Sequence, residues 1–283
     1  MGNPKQKQGG YALLLLTASL AIIAFGFVLG YSNLLAKKES GALAAEQTTY
    51  LNNARTALEN VYQQNLAVVD SDSEQAQYRN PDTWLQSAGI QPRWNVQVQV
   101  SSRLTASGVA YTVIALWIPD ATATSDPSTF DPASGTFTPC SNSGAACPPR
   151  AYVVVSGLTL QLKAQQLAQA QLNDLSGKTQ SFFDTKALQD PDHNQSVNYF
   201  RAPSGNCNNM DEMPCLDTYT DVSATRLPQL MGVDPQQLVN PWGLPVQASN
   251  LQDARSTTPP YSFAFQSQTP WGTTYQVQAL QKL

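Results

Sequence analysis

The hydrophobic pattern of the chain opens with an unbroken apolar run over residues 11–36, YALLLLTASLAIIAFGFVLGYSNLLA, which carries no charge. A polar, basic leader of ten residues, MGNPKQKQGG, precedes the run, and Lys37, Lys38 and Glu39 follow it. As a helix with ~1.5 Å rise per residue, the run would be roughly 39 Å long and would cross a hydrocarbon core of ~30 Å with some tilt. The pattern therefore predicts a segment that inserts into a membrane.

Beyond residue 39 the apolar positions are spaced three or four apart, as on one face of an amphipathic helix. The chain has no proline between Pro4 and Pro81 that would interrupt such a helix. We therefore expect one helix from Tyr11 to about Val68, roughly 87 Å long at ~1.5 Å per residue, with an apolar half and an amphipathic half. The apolar positions of the second half are Leu51, Ala54, Leu58 and Val61.

Downstream of this helix the pattern has period two, which is typical of strands with one buried face. Residues 94–100 alternate cleanly, residues 101–108 predict a loop, and residues 109–118 predict a more buried partner strand of a hairpin. After a loop of about thirty residues rich in Pro, Ser, Thr and Gly, residues 151–156 predict a third strand. A helix followed by antiparallel strands indicates the α+β class.

The same order of elements then recurs. Residues 158–175 predict a second helix, which Ser176-Gly177 ends or bends and which residues 181–188 continue. Short helical turns are expected over residues 227–239, and two alternating strands flank the TPWG turn, over residues 261–267 and 274–280. The apolar face of the second helix is assigned to Ala164, Leu167, Ala168, Leu172 and Leu175.

A weak internal likeness relates residues 84–94, WLQSAGIQPRW, to residues 227–237, LPQLMGVDPQQ. We call residues 37–283, which follow the apolar run, the head. If the likeness reflects a duplication, the head consists of two α+β lobes; if not, one larger mixed sheet carries both helices. The predicted divisions are a leader (1–10), an apolar transmembrane helix half (11–36), a first α+β lobe (37–157) and a second helix with a small sheet (158–283).

Three kinds of membrane segment compete for residues 11–36. A secretory signal peptide has an apolar region of only ~7–15 residues with a cleavage site directly after it. Here the run is longer, and the A-x-A motif at residues 42–44 lies beyond the two lysines. An ordinary uncleaved single-pass anchor fits the length, and a third interpretation rests on the leader.

A short leader that contains lysines and ends in glycine, directly before an apolar run, resembles the class III signal of type IV pilins and type II secretion pseudopilins. In that family a prepilin peptidase cuts after the glycine on the cytoplasmic side and methylates the new amine. The resemblance implies cleavage between Gly10 and Tyr11 and N-methylation of Tyr11. It also implies a long helix packed on an antiparallel sheet.

The fifth residue after this junction, Leu15, stands where most members of the family carry glutamate. In the family that carboxylate is thought to meet the N-terminal amine of a neighbouring subunit, because a charge in an apolar stretch is costly unless it is paired. In the family, a missing glutamate is typical of minor subunits at a filament tip, which have no neighbour above them, and this chain resembles them in that respect. It implies a subunit that does not repeat along the filament.

A second resemblance lies near the other end of the chain. The segment Asn240–Gly243, NPWG, resembles the Asp-Pro-Trp-Gly turn near the final sheet of many pseudopilins, with Asn in place of Asp. Pro241 sets φ and Gly243 permits a positive φ, so that Trp242 can lie over the sheet. An ordinary turn with a buried tryptophan explains the same residues.

The four cysteines form two close pairs, each in a loop rich in small and polar residues. Four cysteines allow three connectivities, and we expect the local disulfides Cys140–Cys147 and Cys207–Cys215, formed in an oxidising compartment. A zinc site is disfavoured, because the spacings do not match zinc patterns and His193, the single histidine, has no partner nearby.

Charge and motifs exclude several function classes. The formal net charge is −4 at pH 7 without a basic run outside the membrane flanks, so nucleic-acid binding is not expected. The chain lacks hydrolase, phosphate-loop and metalloprotease motifs, so we expect neither an enzyme nor a cofactor. Two acidic clusters could bind Ca²⁺, because carboxylate oxygens suit a hard cation, and a solvated acidic loop explains each of them equally simply. The first comprises Asp211, Glu212, Asp217 and Asp221; the second comprises Asp70, Asp72 and Glu74.

These patterns together predict a minor type IV pilin or pseudopilin that initiates or caps a pilus or secretion filament. Its expected partners are other subunits, the prepilin peptidase and inner-membrane lipid before assembly, with the head in the periplasm and later in a filament. One alternative is an uncleaved, membrane-anchored periplasmic binding or scaffold protein of an envelope complex. Another is a pilus-tip adhesin that uses the cysteine loops as its ligand surface.

Overall fold

The computed structural model describes residues 38–72, 75–119, 128–139 and 151–281. These residues form an α+β fold in which every paired strand is antiparallel. The helices are α1 (residues 38–64), α2 (Leu66–Val69), α3 (Pro81–Ser87), α4 (Leu158–Gln189) and α5 (Leu227–Met231). The strands are β1 (Gln97–Val100), β2 (Leu104–Ala106), β3 (Val109–Tyr111), β4 (Val113–Trp117), β5 (Thr129–Asp131), β6 (Thr136–Thr138), β7 (Tyr152–Ser156), β8 (Thr220–Asp221), β9 (Gln247–Ser249), β10 (Ser262–Gln268) and β11 (Thr274–Leu280).

Two separate main sheets each receive one long helix. The first sheet has the strand order β1-β4-β7, and α1 packs its apolar stripe against it. The second sheet has the order β11-β10-β9-β8 and carries α4. The alternative of one larger mixed sheet under both helices is therefore wrong. The four predicted stripe residues of α1 are all buried, at 1% exposure for Leu51, 3% for Ala54, 0% for Leu58 and 6% for Val61.

The predicted long N-terminal helix, with a membrane half and an amphipathic half, requires correction. Residues 11–36 lie outside the described residues, and among the helices of the described part none is long and apolar enough to cross a membrane. At its other end, α1 ends at residue 64 instead of continuing to Val68. The reason is Asn65, whose side chain donates to the Val61 carbonyl at 2.8 Å and whose backbone leaves the helical region at φ −118° and ψ 26°.

Helix α4 is confirmed at four of the five residues predicted for its buried face, Ala164, Ala168, Leu172 and Leu175, and in its continuation over residues 181–188. It continues without a break through Ser176 and Gly177 to Gln189. Leu167, assigned to the buried face, is 53% exposed, whereas Gln161 is fully buried. Gln161 therefore belongs to the buried stripe of α4, and its side-chain amide is hydrogen-bonded inside the protein.

The observed strands confirm the predicted hairpin, but the second of its two predicted strands is divided into β3 and β4. β1 pairs with β4, and β4 pairs with β7, as the alternation of residues 94–118 and 151–156 predicts. The segment 109–118 is nevertheless two strands, because Thr112 turns its amide and hydroxyl towards Tyr62 and Asp70. The long loop before residue 151 also contains a hairpin, β5–β6, whose Phe130 and Phe137 cover the second face of the first sheet.

Gly157, between β7 and α4, provides a test of how closely α1 and α4 approach each other. A Cβ atom at this position would overlap the Tyr62 hydroxyl, which is buried. We expect Gly157→Ala to lower the free energy of unfolding by about 3 kcal/mol, the upper part of the range for an overfilled core. Urea unfolding followed by circular dichroism measures this change.

The matched control is Gly177→Ala, in the exposed middle of α4, where an added Cβ has no neighbouring atom within 4 Å. Alanine there should stabilise the protein by about 0.5–1 kcal/mol, because glycine is a poor helix former. Equal effects of the two substitutions would contradict the close packing of Gly157 on Tyr62.

Candidate functional site

The first turns of α1 extend away from the rest of the described structure. Residues 38–46 are exposed on every side of the helix, and the first buried side chain is that of Leu51. Leu43 is 45% exposed although it is a large apolar residue. A helical segment that is exposed on every side is accessible to other molecules around its circumference. This projecting segment also directly follows the apolar run in the sequence.

A groove lies where α1 enters the body of the protein, between the helix and the loop that follows α3. Its volume is about 500 Å³. The Tyr50 hydroxyl closes one side by donating to the Gln91 carbonyl at 2.9 Å, and Glu46 lies 3.8 Å from Arg93 at the rim. Both walls contribute small lining residues: Ala54 and Ala57 on α1, and Ala88 and Gly89 on the opposite side. Small side chains allow another backbone to approach closely, so the groove is suited to contact with a second helix or strand.

The far end of α1 is fixed by a buried carboxylate, that of Asp70, which is 0% exposed. The Tyr62 hydroxyl donates to Oδ2 of Asp70, and the Thr112 hydroxyl donates to Oδ1 at 2.7 Å. The Gln161 amide donates to Oδ2 at 2.9 Å. These donors come from α1, from the segment between β3 and β4, and from α4. One side chain therefore joins the first helix to its sheet and to the second helix.

Arg79 supplies the positive charge near this carboxylate. Its guanidinium lies 3.9 Å from Asp70 Oδ1 and donates to the Thr112 hydroxyl at 2.7 Å and to the Ser101 carbonyl at 2.8 Å. Because a carboxylate anion only accepts hydrogen bonds, the converging donors and the nearby cation match the ionised form of Asp70. Burial and the adjacent Asp70 charge raise the pKa of Tyr62 well above its ordinary value of 10.0. Tyr62 therefore stays a neutral donor at physiological pH.

The NPWG turn closes the same network from the second half of the chain. The Trp242 indole N–H donates to Gln161 Oε1 at 2.8 Å, so Gln161 links the tryptophan to Asp70. Gly243 has φ 78°, and the Trp242 ring is buried against Ala164 and Ala168 of α4. The positive φ predicted for Gly243 is confirmed, and Trp242 is buried, but its ring packs on helix α4, whereas the prediction placed it over the sheet.

The structure also gives a reason for asparagine at the first position of the turn. Asn240 Oδ1 accepts from the amides of Trp242 at 3.0 Å and Leu244 at 2.9 Å. Its Nδ2 donates to the Ser267 hydroxyl at 2.9 Å and to the Gln268 carbonyl at 2.8 Å. An aspartate carboxylate could accept the first two bonds but could not donate the others. Asparagine therefore ties the turn to β10 in a way that aspartate would not.

The sequence-predicted site residues have different outcomes. Gly10, Tyr11, Leu15, Cys140 and Cys147 lie outside the described residues. Cys207 and Cys215 form the expected disulfide, with their Cα atoms 5.1 Å apart. The solvated position expected for His193 is confirmed, because this residue is exposed in the loop after α4.

The calcium hypothesis receives no geometric support. Across residues 38–72, 75–119, 128–139 and 151–281, no group of three or more acidic, histidine or cysteine side chains could hold a metal ion. The acidic residues near the disulfide loop have separate partners: Asp217 pairs with Arg201, Glu212 accepts from Ser204, and Asp221 accepts from Gln247. Asp211 is exposed. Asp70 of the other acidic cluster is a structural residue, and Glu74 lies outside the described residues.

No protein-family model, no curated protein and no solved structure matches this chain.

The Asp70 network allows a direct test by substitution. Asp70→Asn replaces one acceptor oxygen with an NH₂ group that must face a donor, and it removes the charge that Arg79 balances. We expect a loss of about 3 kcal/mol in the free energy of unfolding. Asp174→Asn is the control, because Asp174 forms an exposed i,i+4 pair with Lys178 at 2.9 Å, and this pair should contribute less than about 0.5 kcal/mol. Similar small losses in both variants, measured by urea unfolding, would contradict the structural role of Asp70.

Tyr62 adds a prediction about alkaline pH. Its folded-state pKa is raised, so its contribution to stability is complete below about pH 10 and is lost as the pH rises above that value. Above about pH 10 the wild type should lose about 1.4 kcal/mol per pH unit relative to Tyr62→Phe, which has no proton to release. Unfolding free energies of both proteins between pH 7 and about pH 11 test this slope. Parallel pH profiles throughout the range would show that Tyr62 titrates normally.

Proposed function

We propose that this chain is a minor, non-enzymatic subunit of the type IV pilin and pseudopilin kind, which initiates or caps a filament. The observation that carries the proposal is the exposure of α1 on every side over residues 38–46. A helix whose residues 38–46 are all exposed, and that directly follows an uncharged apolar segment, is suited to contacts with other subunits. The groove between α1 and the loop after α3 adds a second contact surface beside it.

The leader supports the same proposal from the sequence. Gly10 and Tyr11 form the junction at which a prepilin peptidase would cut, and the apolar segment 11–36 would remain on the mature chain. Leu15 in place of glutamate favours a position that does not repeat, because no carboxylate is available for the amine of a neighbouring subunit. The proposed role is therefore at the tip or at the start of a filament.

Location and partners follow from this role. The apolar segment would hold the chain in the bacterial inner membrane before assembly, with the head in the periplasm and later in the filament. The Cys207–Cys215 disulfide supports an oxidising compartment for the head. The partners would be other subunits of the filament, the prepilin peptidase and membrane lipid. The net charge of −4 gives no reason to include nucleic acid.

Mass spectrometry of the chain purified from its own membranes tests the proposal. We expect a mature N-terminus at Tyr11 that carries a methyl group. Gly10→Leu should abolish cleavage because in the family the peptidase cuts after this glycine, whereas Gly9→Ala leaves that glycine in place and should be processed normally. Loss of processing should also remove the protein from sheared filament fractions.

An intact Met1 on the wild-type protein would overturn the pilin-like role and favour an uncleaved scaffold or binding protein of an envelope complex. Continued cleavage and assembly of Gly10→Leu would show that the proposed junction is wrong. A processed chain that is present in many copies along each filament would contradict the minor role inferred from Leu15.

A further inference from the structure

The second sheet has one long open edge, formed by β11. β11 pairs with β10 along its entire length, from Thr274 opposite Gln268 to Leu280 opposite Ser262, and it is the last strand in the order of the sheet. The opposite edge strand, β8, has only two residues and carries Asp221. The two edges of this sheet therefore differ in length and in charge.

The hydrogen bonds at the end of the hairpin fix which backbone groups of β11 point outwards. The Gln281 amide donates to the Tyr261 carbonyl at 2.9 Å, which makes residues 261 and 281 a hydrogen-bonded pair. Such pairs alternate along an antiparallel ladder, so residues 275, 277 and 279 direct their backbone groups to β10. The N–H and C=O groups of Thr274, Gln276, Gln278 and Leu280 then point away from the sheet. Within the described part of the chain, these groups have no hydrogen-bond partner.

β11 lacks the features that usually prevent an edge strand from pairing. Natural edge strands are protected by charged side chains, prolines, bulges or short length. The chain carries no charged residue between Arg255 and Lys282, and β11 contains no proline. Its register with β10 runs without a bulge over seven residues. An unprotected edge of this length is a surface for the addition of another strand.

We propose that β11 pairs antiparallel with β11 of a second copy of this chain, about a two-fold axis at Val277. In this register Gln276 lies opposite Gln278 of the second copy, and Thr274 lies opposite Leu280. All outward backbone groups then find partners, with about eight hydrogen bonds across the axis. The two four-stranded sheets would form one continuous sheet. This inference rests on the geometry of β11 and does not depend on the proposed pilin-like role.

The sequence of β11 favours a second copy over an unrelated strand, because it is complementary to itself about Val277. On the polar, exposed face Gln276 Nε2 donates to the Tyr219 hydroxyl of its own chain at 2.6 Å, which leaves Oε1 of Gln276 to accept from the Gln278 amide of the second copy. On the face towards α4, the large ring of Tyr275 lies opposite the small Ala279 of the second copy. Since the edge is uncharged, pairing of two copies brings no like charges together. One strand edge is smaller than a standard interface of about 800 Å² per partner, so we expect a reversible dimer.

Sedimentation velocity on the full chain in a non-ionic detergent, over a series of protein concentrations, tests the proposal. The wild type should show a concentration-dependent dimer. The double substitution Gln276→Lys/Gln278→Lys places lysines opposite each other across the axis and should weaken the dimer at least tenfold. Gln276→Glu/Gln278→Lys places opposite charges there in the proposed register and should restore it. The exposed pair Gln166→Lys/Gln169→Lys on α4 adds the same charge elsewhere and should have no effect.

The variants also separate failure of the fold from failure of the interface. Thermal unfolding should be similar in all of them, because the substituted glutamines are exposed and their backbone groups make no bonds to β10. The Gln276–Tyr219 hydrogen bond that substitution removes lies on the surface. If the two-lysine variant unfolds, Gln278→Pro replaces it, since that substitution removes one outward N–H and leaves the ladder with β10 intact. A wild type that stays monomeric at every concentration would overturn the proposal. So would a dimer that all edge variants retain, because another surface would then hold it.

Discussion

The Asp70 carboxylate is the interaction on which the arrangement of the long helices depends. It is buried, and it accepts hydrogen bonds from Tyr62 of α1, Thr112 beside β4 and Gln161 of α4. A buried charge is costly unless donors surround it, so each donor must hold its place for the carboxylate to be tolerated. The need to satisfy one anion thereby fixes the positions of three elements that are far apart in the sequence.

Gln161 extends this constraint to the second sheet. Its two amide atoms have different partners: Nε2 donates to Asp70, and Oε1 accepts from Trp242. Trp242 belongs to the NPWG turn, which Asn240 ties to β10. A rotation of the Gln161 amide would place donor against donor on one side and acceptor against acceptor on the other. The two halves of the head are therefore joined by a polar contact with one allowed orientation, as well as by apolar packing.

Sequence reasoning succeeded where the pattern is local. The stripe of α1, the β1–β4 hairpin, the limits of β11 and the Cys207–Cys215 disulfide all follow from spacing over a few residues. The Asp70 network could not be predicted in this way, because its partners are 8 to 91 residues away from Asp70. Gln161 offered one local clue, a polar residue three positions before Ala164 on an otherwise apolar face. The assignment of Leu167 to that face was wrong, because the buried stripe passes through Ala164 and Ala168, which lie against the Trp242 ring, and leaves Leu167 exposed.

The position of the network also bears on how α1 acts as a projecting helix. Its first turns, residues 38–46, are exposed, whereas the helix is held from Leu51 onwards by the core and at Tyr62 by Asp70. The exposed turns and the buried part therefore belong to one continuous helix, whose buried part ends close to the residue that Asp70 holds. Asp70 connects this buried part of α1 to the first sheet through the Thr112 hydroxyl. Gln161 extends this connection to Trp242 and so to the second sheet, whose β11 edge is open.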